Sequence, residues 1–139
     1  MIKSILLSAL AGGLVIFAQS GLFFGFLFAE FFARQIPPEF AGIQRAEPNF
    51  LLVFGADLIY AVMLATLFAW VTTIRTFRQG ALAGMLIGLA MVVHFDMIYH
   101  ATTYLVSPAA MAADAAISAV MSGIGGGVIA AVLGRLRPA

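Results

Sequence analysis

Residues 80–104 read GALAGMLIGLAMVVHFDMIYHATTY, a run whose single Asp, Glu, Lys or Arg is Asp96. At about 1.5 Å of helical rise per residue it reaches about 37 Å, more than the ~30 Å hydrocarbon core of a bilayer. It lacks the period-two alternation of a barrel strand, so it predicts a membrane-spanning helix. Three further runs have the same character, at residues 4–33, 49–72 and 108–133. The expected fold is therefore all-α, a four-transmembrane-helix bundle forming a single integral membrane domain over residues 1–139.

Composition points the same way. Of the 139 residues 63% are hydrophobic and only 9% charged, against about 25% charged in a soluble domain, and the mean hydropathy is +1.09. The seven basic residues lie scattered near the ends of the apolar runs and the net charge is +1, so there is no basic stripe for nucleic acid. Cysteine is absent, which excludes disulfides, thiolate nucleophiles, iron–sulfur clusters and Cys-ligated zinc. Nor does the chain hold a Walker loop, nucleophile elbow, His-Glu-x-x-His helix or dinucleotide fingerprint. No enzyme activity is expected, and no motif names a cofactor.

The first run opens with Lys3 and has an apolar core and an Ala18 that resemble a signal peptide, but it stays apolar through GLFFGFLF at 21–28. It reads as a retained span. At about 45 Å it must tilt, kink or project. Basic residues near helix ends set orientation: Lys3, Arg75, Arg78, Arg135 and Arg137 fall on one side, Arg34 and Arg45 on the other. Both termini are expected in the cytoplasm. The outer side then carries a proline-bearing loop at 35–48, with its prolines starting the second helix, and a tight link in which Ser107 caps a helix opening at Pro108. The two helical hairpins share a loose pattern, Ala56-Asp57 with Ala61-Val62-Met63 against Ala113-Asp114 with Ala119-Val120-Met121, as a duplicated two-helix unit would leave behind.

Close helix approach in lipid depends on small residues. Gly80, Gly84 and Gly88 recur every four residues, as do Ser118, Ser122, Gly126, Ala130 and Gly134, and Gly21, Gly25, Ala29 and Ala33. These ridges, Gly80, Gly84, Gly88, Ser122 and Gly126 above all, predict packing within the bundle or against a neighbouring subunit. The cluster at Gly123–Gly127 offers a second role, a bend or gate in the fourth helix.

Ionisable groups inside a membrane cost ~2.5 to 3.5 kcal/mol near a helix centre and so point to function. Asp57, Asp96, Asp114 and Glu30 all fall in the outer half of the spans. Asp96, Tyr99, His100 and Thr103 share one helical face continuing the glycine ridge, which predicts that Asp96 and His100 face the bundle interior, while His94 points elsewhere. Asp57 groups with Tyr60, and Asp114 with Ser118. Glu30 is equally explained by an ion pair with Arg34, Asp114 by the helix dipole, and the rest by a structural hydrogen-bond network. If the cluster works, it is a proton relay, or a metal site built on Asp96 and His100. His94, four residues after Ala90, also matches the spacing of pigment-ligating helices.

The phenylalanine-rich first helix ending in Phe28-Ala29-Glu30-Phe31-Phe32, the proline-containing outer loop, Asp57 and Tyr99-His100-Ala101-Thr102-Thr103 together cover nearly the whole chain. In these features the chain resembles the small bacterial four-helix integral membrane proteins of unknown function. The resemblance implies the four-helix fold and a bacterial inner membrane, and carries no activity or residue role. The leading expectation is a non-enzymatic membrane protein that associates in the bilayer as an accessory subunit of a larger complex or as a homo-oligomer. The alternative is a small proton-coupled transporter or ion-binding protein using Asp57, Asp96, His100, Asp114 and Glu30, supported by Tyr60, Tyr99, Thr103 and Ser118.

Overall fold

The computed structural model describes residues 1–70 and 73–136, and every regular element among them is helical. The expected end of the second run at residue 72, and Arg137, lie outside the described residues. Four helices are long and apolar enough to cross a membrane. They begin with α1 (Ile2–Leu22), which continues through a π-helical turn at Phe23–Leu27 into the short α2 (Ala29–Arg34). The others are α3 (Phe50–Trp70), α4 (Phe77–Thr102) and α5 (Pro108–Leu136).

The over-long first run resolves its length by kinking. Phe28 donates its N–H to the Phe23 carbonyl five residues back, at 2.8 Å, and takes φ −117° and ψ 8°, which ends the helix and re-aims α2. A π turn of this kind is one of the few established causes of a sharp bend. Ring contacts across it, Phe24 with Phe32 at 5.3 Å and Phe23 with Phe28 at 6.4 Å, hold the angle. The loop that follows turns through a 3₁₀ segment at Pro38–Phe40 and through Gly42, whose φ of 91° lies in the left-handed region.

Helix ends are set by local polar chemistry. α4 starts a turn before the glycine run because Thr76 and Gln79 form a reciprocal capping box: the Gln79 N–H donates to Thr76 Oγ1, and the Thr76 N–H to Gln79 Oε1. At the start of α3 the residue that accepts the free amide is Asn49, through Oδ1 from the Leu52 N–H at 3.1 Å. Pro48 only precedes this cap, which corrects the expectation that a proline opens the helix. Ser107 caps α5 as expected, accepting the Ala110 N–H at 3.0 Å. The far end of α3 is closed by Arg75, whose guanidinium donates to the carbonyls of Phe68, Ala69 and Ile74. A cation suits the partial negative charge there.

α5 is the hub. It packs along α4 and against α1 and α3, and α1 also packs on α3, whereas among the described residues α3 and α4 share no extended interface. The two glycine ridges meet each other. A methyl group added at Gly80 would strike Ala130 and the Gly126 carbonyl, one at Gly84 the Ser122 carbonyl, and one at Gly88 the Ser122 side chain. The Gly80, Gly84, Gly88 stripe and the Ser122, Gly126, Ala130 stripe are thus used within the chain. α5 stays helical through the Gly123–Gly127 cluster. Its glycines admit neighbours on several sides, Ile16 at Gly125 and Phe77 at Gly127.

The apolar core, including Ile5, Ala9, Ile16, Leu64, Phe68, Ile129 and Leu133, fills the half of the bundle nearer the termini. The opposite half, towards the 35–48 loop and the α4–α5 link, is incompletely filled. The carboxylates lie there.

Candidate functional site

Asp57 follows the start of α3 by seven residues, Asp114 follows the start of α5 by six, and Asp96 precedes the end of α4 by six. Each therefore sits about 9–10 Å inside its helix. Depth alone does not make a site, and the rotation about each axis brings the three towards a common space. Asp57 Oδ2 accepts from the Ser20 hydroxyl of α1 at 3.2 Å, and Asp114 Oδ1 from the Ser118 hydroxyl at 2.9 Å. Asp96 is only 5% exposed, and its Oδ2 is buried without a hydrogen-bond partner.

Two cavities connect these groups. The outer one, about 320 Å³, is lined by Asp96, Asp114 and Tyr99, by Phe32 of α2, and by Gln35 and Gln44 of the loop. The inner one, about 340 Å³, is lined by Asp57, Tyr60, Asp114, Ser118, Ser122 and Ser20. Asp114 belongs to both and so stands between them. Asp96 and Asp114 thus line the same outer cavity. Among the described residues the one ion pair, Arg34 with Glu30, lies elsewhere on the surface with side chains 73% and 80% exposed. At the inner end the Tyr60 hydroxyl approaches Ser122 and Gly88. The loop over the outer cavity is fastened by a hydrogen bond from the Ser107 hydroxyl to Gln35 Oε1, 2.6 Å long.

Several expected site residues fall outside this space. His100 is exposed, and its Nδ1 lies 2.7 Å from the Val106 carbonyl. Since a carbonyl only accepts, Nδ1 carries the proton and the ring is committed to the α4–α5 link. The expectation that His100 faces the interior beside Asp96 is thus corrected. A step of four residues turns a helical face by about 40°, and α4 has only α5 as an extended partner, so its buried stripe is narrow and His100 has left it. Thr103 is likewise consumed by backbone, donating to the Tyr99 carbonyl at 2.8 Å and accepting the Leu105 N–H. Glu30 is bound to Arg34 on the surface and lines neither cavity. His94 is exposed on α4. Among the described residues no three His, Asp or Glu side chains gather as a metal-ligand group, so the shell that a site on Asp96 and His100 needs is not assembled.

Ser20, Gln35 and Gln44 were not singled out from the sequence. Ser20 had a weak signal, a hydroxyl in a span at the depth of Asp57. The glutamines had none, because loop residues acquire a site only through the way the loop folds back. Ser122 was read as packing and serves both purposes.

An all-helical chain with four membrane-length apolar helices and a carboxylate-lined cavity at one end defines a class, a multi-pass membrane protein. Compared with protein-family models, curated proteins and solved structures, the chain shows no match in any of the three.

Proposed function

We propose that this is a non-enzymatic protein of the bacterial inner membrane, with both termini cytoplasmic, that binds a proton or small cation drawn from the outer side into the cavity between Asp96 and Asp114. One observation carries the reading: a carboxylate oxygen of Asp96 is buried, lacks a partner, and belongs to a side chain lining a cavity opposite a second carboxylate. An uncompensated buried charge is costly. Evolution towards stability alone would replace it with an apolar residue, and mutual repulsion across the cavity is relieved by whatever cation enters between the two groups. The inner cavity, with Asp57 and Tyr60, extends the path towards mid-membrane.

The test is charge displacement by the full chain in proteoliposomes on a solid-supported membrane after a pH or Na⁺ jump. Wild-type protein should give a transient current, and Asp96→Asn should remove it. A current unchanged by Asp96→Asn and Asp114→Asn overturns the reading. Reporters fused at the C-terminus test the orientation, with cytoplasmic activity expected.

A second reading, association in the bilayer as an accessory subunit or homo-oligomer, rests on a different observation. Gly21 and Gly25 have no atom within 4 Å of where a side chain would begin, and they border an apolar groove of about 500 Å³ with Phe17, Phe50 and Val53. This ridge, unlike the one on α4, is free for a neighbouring helix. Leucine at both positions should leave the monomer folded and dissociate any complex found in native membranes.

A further inference from the structure

We infer that the ligand of the outer cavity is a small organic ammonium ion, held with its charged head between Asp96 and Asp114 and its apolar body against Phe32 and Tyr99. The inference rests on the cation reading above and narrows it to one chemical class.

The donor set argues against a metal ion. Zinc takes four converging ligands, and calcium six to eight oxygens at about 2.3–2.6 Å. Here the His, Asp and Glu side chains of the described residues nowhere gather in threes, and Asp114 already accepts from Ser118. Two separated carboxylates are poor chelators. They match an ammonium group well, because it brings both the positive charge and N–H donors. Asp96 lines the cavity, and Asp114, whose Oδ1 accepts from Ser118, retains Oδ2.

The walls argue for an organic body. The cavity, about 320 Å³, is lined by Phe32, Tyr99, Ile36, Leu105 and Val106 as well as by the carboxylates. Its volume lies at the lower end of the range for small-molecule sites, and such sites combine apolar walls with a few convergent polar groups. A hydrated inorganic ion would have no use for those walls. An alkyl or aryl ammonium would bury its apolar part against them, and an aromatic face within about 6 Å attracts the cationic head. Gln44, on the loop side, adds a neutral amide to the lining.

The experiment is calorimetric titration of the full chain in lipid nanodiscs with benzylammonium, and with benzyl alcohol as its neutral counterpart. Benzylammonium should bind at least tenfold more tightly than the alcohol, and Asp96→Asn should erase the difference. Phe32→Leu, which keeps both carboxylates, should weaken benzylammonium severalfold, so the inference stays testable if the Asp96 variant fails to fold. Equal affinity for the two compounds, or full displacement of benzylammonium by millimolar Mg²⁺, overturns the assignment. If the current still depends on Asp96 while the two compounds bind alike, the ammonium assignment alone has failed. If Asp96→Asn changes neither current nor binding, the cation reading has failed with it.

Discussion

Gly84 and Gly88 face the same helix one turn apart, yet a methyl group on each would meet a different kind of obstacle. At Gly84 the obstacle is backbone, the Ser122 carbonyl, with Gly126 Cα at 3.1 Å. At Gly88 it is the Ser122 side chain, with the Tyr60 hydroxyl at 3.1 Å. Overpacking a filled contact costs about 1–3 kcal/mol, while alanine in place of glycine in a helix gains up to about 1 kcal/mol. Each Ala variant should therefore lose up to about 3 kcal/mol net, nearer the upper end because the added carbon would lie well inside contact distance. The two should part in the double variants. Ser122→Gly removes the atoms that Gly88→Ala would strike and should restore most of its stability, but it leaves the carbonyl in place and should not rescue Gly84→Ala. Gly21→Ala, in open space, is the control and should be neutral or slightly stabilising. The assay is SDS-driven unfolding in mixed micelles, read as a coupling energy for each pair. Equal rescue of both variants, or no destabilisation by either, would refute the placement of the two ridges against each other.

Three further outcomes follow from the same geometry. Asp96→Leu should raise stability by about 1–3 kcal/mol in the same unfolding assay, by removing a buried group with an unmet hydrogen bond, while abolishing the proton-jump current; a destabilised variant would show that the carboxylate is paired. Ser107→Ala removes both the α5 cap and the tie to Gln35, so it should cost about 1 kcal/mol and speed labelling of a cysteine placed at Gln44, measured with a membrane-impermeant maleimide. Glu30→Gln breaks only an exposed ion pair and should shift unfolding by less than about 0.5 kcal/mol, leaving the current intact.

The parts of the site legible in advance were those expressed along one helix. Asp57, Asp96 and Asp114 stand out because a carboxylate in an apolar run is costly wherever the helix packs, and their equal depth follows from counting residues inward from the ends. Asp114 with Ser118 was visible for the same reason, since i and i+4 are neighbours on any helix. His100 was misplaced by that same rule: it states which residues share a face and is silent on where the partner helix stops. Asp57 with Ser20 and Gln35 with Ser107 join residues far apart in the chain, and no local pattern announces them.

Hydrophobic content and run length were sufficient for the class of fold, because a chain with too little charge to cover a water-exposed surface must span lipid, and in lipid the backbone satisfies itself as helices. The cap at Ser107 is equally local and equally readable, whereas the Thr76 box with Gln79 starts α4 at Phe77, three residues before the expected Gly80. Tertiary structure decided the rest. The choice of α5 as hub, the burial of both glycine ridges in one contact, the kink that swings Phe32 over the outer cavity, and the incomplete filling of that half of the bundle all depend on which helix faces meet. Small residues permit close approach without naming the partner. Only the assembled bundle shows that the α4 stripe is used internally, that the Gly21 and Gly25 stripe is left open, and that Asp96 is buried beside the outer cavity with one oxygen lacking a partner among the described residues.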